Sequence, residues 1–94
     1  MIVSAYKAAT YGIRIGRKNA KKHFPQTWTD VEVEINGVFH RFKLSHPKFW
    51  TNCPEIRGKA IREWLKAKGH LCWEKGNPPQ FELEYIGGNK FRLL

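Results

Sequence analysis

Val31, Val33 and Ile35 alternate with Glu32 and Glu34, and Asn36-Gly37 follows before Val38 to Leu44 continue the pattern. A period of two predicts strands, and Asn-Gly is the dipeptide best suited to a two-residue type I′ turn. Such a turn pairs Ile35 with Val38, Val33 with His40 and Val31 with Phe42 on one face. On the other face Glu34 meets Phe39, Glu32 meets Arg41 and Asp30 meets Lys43, which would occupy those charges with one another. A second hairpin is predicted at the end of the chain. There Phe81, Leu83 and Tyr85 alternate with Glu82 and Glu84. A three-residue loop, Gly87-Gly88-Asn89, then sets Tyr85 opposite Phe91, Leu83 opposite Leu93 and Glu84 opposite Arg92 on one shared register.

Helical spacing shows between the hairpins. Ala60, Ile61, Trp64 and Leu65 form an apolar stripe that Gly69 stops, and Asn52-Cys53-Pro54-Glu55 reads as an N-cap with Pro in the first turn and Glu at N3. Gly58 weakens that first turn, so the regular helix is expected from about Lys59. Near the start, Tyr11, Ile13 and Ile15 alternate with Gly12, Arg14 and Gly16 as a strand, and Lys18 to Phe24 reads as a short helical turn ended by Pro25. Pro47, Gly76 and Pro78-Pro79 mark loops. No repeat, linker or low-complexity segment interrupts a single domain, 1–94.

Charge changes this picture more than composition does. The chain carries 17 Lys and Arg against 8 Asp and Glu, yet residues 1–29 hold six bases and no acid. Lys7, Arg14, Arg17, Lys18, Lys21 and Lys22 therefore have no sequence neighbour to neutralise them. A patch of that kind attracts polyanions over roughly a Debye length, about 8 Å at physiological salt. With a pI of about 9.9 it fits the footprint of a nucleic-acid binder; the plainer reading is a basic surface that keeps the protein dissolved. Composition itself is that of a packed domain, with 41% hydrophobic residues, four Trp, six Phe and three Tyr. Met1-Ile2-Val3 is too short for a secretory core, and no apolar run approaches the roughly 20 residues of a membrane helix, so an intracellular, reducing setting without membrane contact is expected.

Catalysis and metal binding find little support. Glu32-x-Glu34 and Glu82-x-Glu84 face basic strands rather than each other, Ser45-His46 is merely adjacent, and no Gly-rich phosphate loop occurs. His70-x-Cys72 is the only close His/Cys pair, so no metal site or cofactor is expected. Cys53 and Cys72 read as small buried hydrophobes, His40 as a core histidine, and Trp50 as a core residue.

The segment Ile13-Arg14-Ile15-Gly16-Arg17-Lys18-Asn19-Ala20-Lys21-Lys22-His23-Phe24-Pro25 resembles the strand and short basic helix of the B-three DNA-binding domain. That family comprises domains of plant transcription factors, with the effector-binding domains of some restriction enzymes as relatives. Phe49-Trp50-Thr51-Asn52, the stripe from Ala60 to Lys68, and Gly76-Asn77 through Phe81-Glu82-Leu83 to Phe91-Arg92-Leu93 are similar to its later elements. The resemblance implies a β-rich α+β fold, an open seven-stranded pseudobarrel with two short helices. It also implies a non-catalytic function: gripping the major groove of duplex DNA with two arms, around Ser4 to Gly12 and after Trp50. Tyr6, Lys7 and Thr10 in the first arm, and Lys48, Thr51 and Asn52 at the second, have donors for phosphates and base edges. Asn52 equally suits a helix N-cap. Arg57 completes the candidate set with the amino-terminal bases. Two alternatives remain open: a single-stranded DNA or RNA module with aromatic stacking platforms, and a protein adaptor using Phe39 or the helix Trp.

Overall fold

In the computed structural model, which describes residues 1–44, 47–50 and 54–94, the chain begins with two strands, β1 (Ile2–Lys7) and β2 (Tyr11–Arg14). A short helix, α1 (Arg17–His23), leads to the hairpin β3 (Asp30–Ile35) and β4 (Val38–Lys43). A 3-10 turn, η1 (Pro47–Trp50), precedes strand β5 (Glu55–Arg57) and helix α2 (Lys59–Ala67). The hairpin β6 (Gln80–Gly87) and β7 (Lys90–Leu93) completes the order. Among the described residues this is a β-rich α+β fold, and its seven strands form one mixed sheet in the order β4-β3-β7-β6-β1-β2-β5. The sheet curls until its outer strands, β4 and β5, approach each other, giving a nearly closed barrel.

Both hairpins keep the register read from their alternation. Ile35 faces Val38 and Val31 faces Phe42, and the turn residues Asn36 and Gly37 have φ of 52° and 82°, as a type I′ turn demands. Leu83 faces Leu93, Glu84 faces Arg92 and Tyr85 faces Phe91. The expected three-residue loop is tightened. Gly87 pairs with Lys90 after a bulge that follows Tyr85, leaving Gly88-Asn89 as the turn. Tyr85 is correspondingly exposed rather than buried, its hydroxyl donating to the Gly88 carbonyl at 2.9 Å. Val38 is exposed as well, although Ile35 opposite it is buried in the core.

The expected capping box is overturned. Glu55-Ile56-Arg57 forms β5, antiparallel to β2 with Ile13 opposite Ile56, and α2 begins only at Lys59 behind Gly58. Period two wins here because it buries Ile56 in the core while Glu55 and Arg57 point outward. An N-cap role for Asn52 goes with it. The other end of α2 behaves as read: the Gly69 amide donates to Lys66 and the His70 amide to Leu65, the paired bonds of a Schellman motif. Ile61, Trp64 and Leu65 are buried, and Trp64 meets Phe81 edge to face at 4.6 Å.

Phe24 is the hub that seats α1. It is buried, stacks on Phe91 at 5.0 Å and touches Phe49 and Trp28 at 5.6 and 5.8 Å. Asn19 adds a polar tie, donating to the carbonyls of Ile2 and Ile15 at 3.0 and 3.1 Å. Buried Ala20 completes the anchorage of the helix, whose Arg17, Lys18, Lys21, Lys22 and His23 are exposed.

Gly12 marks the tightest strand contact. A Cβ there would stand 2.5 Å from the Ile56 carbonyl oxygen and 2.8 Å from the Arg57 Cβ. Gly12→Ala should therefore push β5 off β2 and cost about 1–3 kcal/mol, as overpacking against backbone does. Urea unfolding checks this, and unchanged stability would contradict the β2–β5 pairing.

Candidate nucleic-acid interface

Register brings the outward residues of three strands onto one face. Tyr6 and Ser4 of β1 flank Gly12 and Arg14 of β2, which in turn flank Arg57 and Glu55 of β5. Arg14 lies over the Tyr6 ring at 4.6 Å, and its Nε stands 3.9 Å from Glu55. Arg57 reaches the same carboxylate at 3.3 Å. The Glu55 side chain is almost fully buried, and this one acid serves two guanidinium groups, so the group keeps a positive surplus. The chain neighbourhood of Arg14 contains no acid, and only the β2–β5 pairing brings Glu55 to it.

A second group stands on α1. Arg17, Lys18, Lys21 and Lys22 are all exposed, and none has a carboxylate within 4 Å among the described residues. Lys21, Lys22 and His23 close the last turn, where cations suit the helix dipole. Arg17 and Lys18 occupy the first turn without any acid, against the dipole, an arrangement that costs the helix stability. Arg17 and Lys21 also line a cleft of about 470 Å³ with Phe24, Pro25, Gln26 and Trp50. Trp50 is half-buried there, packing edge to face on Phe49 at 4.7 Å, so it is in part a core residue, as read, and in part a wall of this cleft.

Ile15 and Gly16 link β2 to α1 in the chain, and their amides both donate to the Pro54 carbonyl, at 2.8 and 3.2 Å. Of the remaining candidates, Lys7 is exposed at the end of β1, its Nζ 5.4 Å from the Tyr11 ring centre. Thr10 closes the β1–β2 turn, its carbonyl accepting the Ala8 amide at 3.0 Å. Lys48 belongs to η1, which packs against α1. Thr51 and Asn52 lie outside the described residues, as do Ser45, His46 and Cys53. The β1–β2 turn and Pro54 stand at opposite ends of β2, four residues or about 13 Å along the strand.

Acids are concentrated elsewhere. Arg92 takes both Glu34, at 3.2 Å, and Glu84, at 3.1 Å, and its hydrogen bonds to Glu34 raise the guanidinium pKa further. Glu82 holds the Met1 amino group at 2.8 Å. The first hairpin departs from its expected pairing, because Arg41 reaches diagonally to Asp30 at 3.6 Å. Glu32 has no ion pair among the described residues, and neither has Lys43. Arginine's longer reach selects the diagonal neighbour here. Cys72 is exposed rather than buried, and His40 is half-exposed at the hairpin's side. Among the described residues no group of three His, Cys, Asp or Glu is placed to hold a metal ion. None of the helices described is long and apolar enough to cross a membrane.

Residues that sequence spacing did not single out also border this region. Trp73 and Lys75 come beside Tyr6, Lys7 and Arg14 through a segment distant in sequence. Their only local signal is an aromatic and a base within Leu71 to Pro79, too short a pattern to carry a site. No family model matches this chain, and neither a curated protein nor a solved structure matches it.

Proposed function

We propose that this chain is a non-catalytic duplex DNA-binding domain of the B-three type. The observation that carries this reading is the run of exposed bases on α1 that have no ion pair among the described residues, with Arg14 and Arg57 exposed on the outer strand face. Arg17 and Lys18, set against the helix dipole and left without acids among the described residues, are poor stabilisers, which favours a role with an anionic partner. The strand and helix order supports the family resemblance as far as architecture goes.

In this reading Arg17, Lys18, Lys21 and Lys22 hold phosphates, and Lys7 and Lys48 fix the register of the two arms on the backbone. Thr10 and Thr51, with Tyr6 and Asn52, supply the short polar reach for base edges, which is where sequence or base modification would be read. Half-buried Tyr6 and Trp73 favour a second reading, in which a single strand of DNA or RNA stacks on the same face. Titration with duplex DNA, single-stranded DNA and RNA across a range of salt separates them. The duplex is expected to bind most tightly and to lose affinity steeply with salt, whereas preference for a single strand would replace the duplex reading.

A further inference from the structure

Strand β1 pairs with β6 only from Ile2 to Ser4, yet its pairing with β2 runs on to Lys7. Past Ser4 one side of β1 therefore has no strand beside it, and the segment Leu71 to Pro79 passes there instead. Three hydrogen bonds fix that segment. Ala5 donates its amide to the Pro79 carbonyl at 2.9 Å, Tyr11 donates its hydroxyl to the Leu71 carbonyl at 2.6 Å, and Asn77 bonds back to Glu74 at 3.0 Å. Held at both ends and turned in the middle, it bows from the sheet and leaves a cleft of about 660 Å³.

We infer that this cleft is a nucleotide subsite, which takes one planar base together with its phosphate. Its walls include three cations, Lys7, Arg14 and Lys75, two aromatic rings, Tyr6 and Trp73, and no carboxylate. Lys7 and Lys75 have no ion pair among the described residues, so their charge is available to a dianion. Trp73 is half-buried and meets Tyr11 edge to face at 6.3 Å. Cations alone would suit any phosphate, and rings alone any apolar molecule; together they select a molecule carrying both an anion and a flat ring. The volume lies within the range of small-ligand clefts, roughly 300–1,000 Å³, and is ample for one nucleotide.

The same chemistry is offered by a free mononucleotide and by an unpaired nucleotide in a bound duplex, and the second source rests on the duplex-binding reading. Calorimetry with deoxyadenosine monophosphate, deoxyadenosine and inorganic phosphate tests the first. Anisotropy with a short duplex, fully paired or carrying one unpaired adenine, tests the second. Either the monophosphate binds about tenfold tighter than both fragments, or the unpaired adenine raises duplex affinity by about tenfold, the scale of one base stacked on an aromatic. Whichever gain is seen should vanish in Trp73→Ala and shrink in Lys75→Ala, an exposed position whose replacement leaves the fold intact. Absence of both gains in the native protein overturns the subsite, as does a gain that both variants retain. Tight binding of the monophosphate with no binding of any duplex would instead remove the duplex reading and keep the subsite.

Discussion

Replacing Arg17, Lys18, Lys21 and Lys22 together by Ala should lower affinity for duplex DNA by about a thousandfold near 0.1 M salt. Each phosphate that is no longer neutralised takes roughly 0.9 off the slope of log K against log salt, so four of them reduce its magnitude by about 3–4. The fold should survive, because all four side chains are exposed and α1 is anchored by Phe24 and Asn19 instead. Removing two cations from the first turn relieves an unfavourable interaction with the helix dipole. Arg41→Ala with Lys43→Ala is the matched control, since both sit on β4, one of them beside Asp30. That control should change affinity by no more than about threefold, in keeping with the small effect of bases away from the bound surface. Fluorescence anisotropy on both variants decides the matter. Equal losses would mean that total charge, and not the α1 surface, attracts the ligand.

Trp64→Ala should destabilise the domain by about 3–5 kcal/mol, the usual consequence of truncating a buried aromatic. Trp64 is 3% exposed, lies on Phe81 at 4.6 Å, and belongs to the α2 stripe that closes one side of the barrel. A small domain is held by only about 5–15 kcal/mol, so this variant should melt many degrees lower or fail to fold. Trp64→Phe keeps most of the apolar volume and should cost clearly less. Thermal melts of the three proteins test the point. A Trp64→Ala protein that stays as stable as the native one while losing its ligand would move Trp64 from core to binding surface.

The parts of this fold legible in the sequence are those fixed by local geometry. Val31 to Phe42 alternates cleanly around Asn36-Gly37, so both partners and faces follow from one turn. Strand β1 escapes the same reading. Val3 and Ala5 point inward, but Ile2 points outward and is more than half exposed, which blurs the alternation. Glu55 to Arg57 is too short to declare itself, and Pro54 with Glu55 imitates a helix start. The continuity of the single sheet depends on the parallel β3–β7 pairing, Val33 beside Phe91, a contact 58 residues apart that no local pattern specifies. The candidate site divides along the same line. The α1 bases are visible because they are close together in sequence and lack acids nearby. The shielding of Arg14 and Arg57 by Glu55, and the arrival of Trp73 and Lys75 beside Tyr6, are products of non-local packing.

Central to the account is that the bases of α1 and the β1–β2–β5 face meet the phosphates of duplex DNA. The affinity of the native protein for a random-sequence duplex, followed from low to high salt, tests it most directly. Five to eight phosphate contacts predict a straight line of log K against log salt with a slope between about −4 and −7. A flat line, or no binding at low salt, would contradict it.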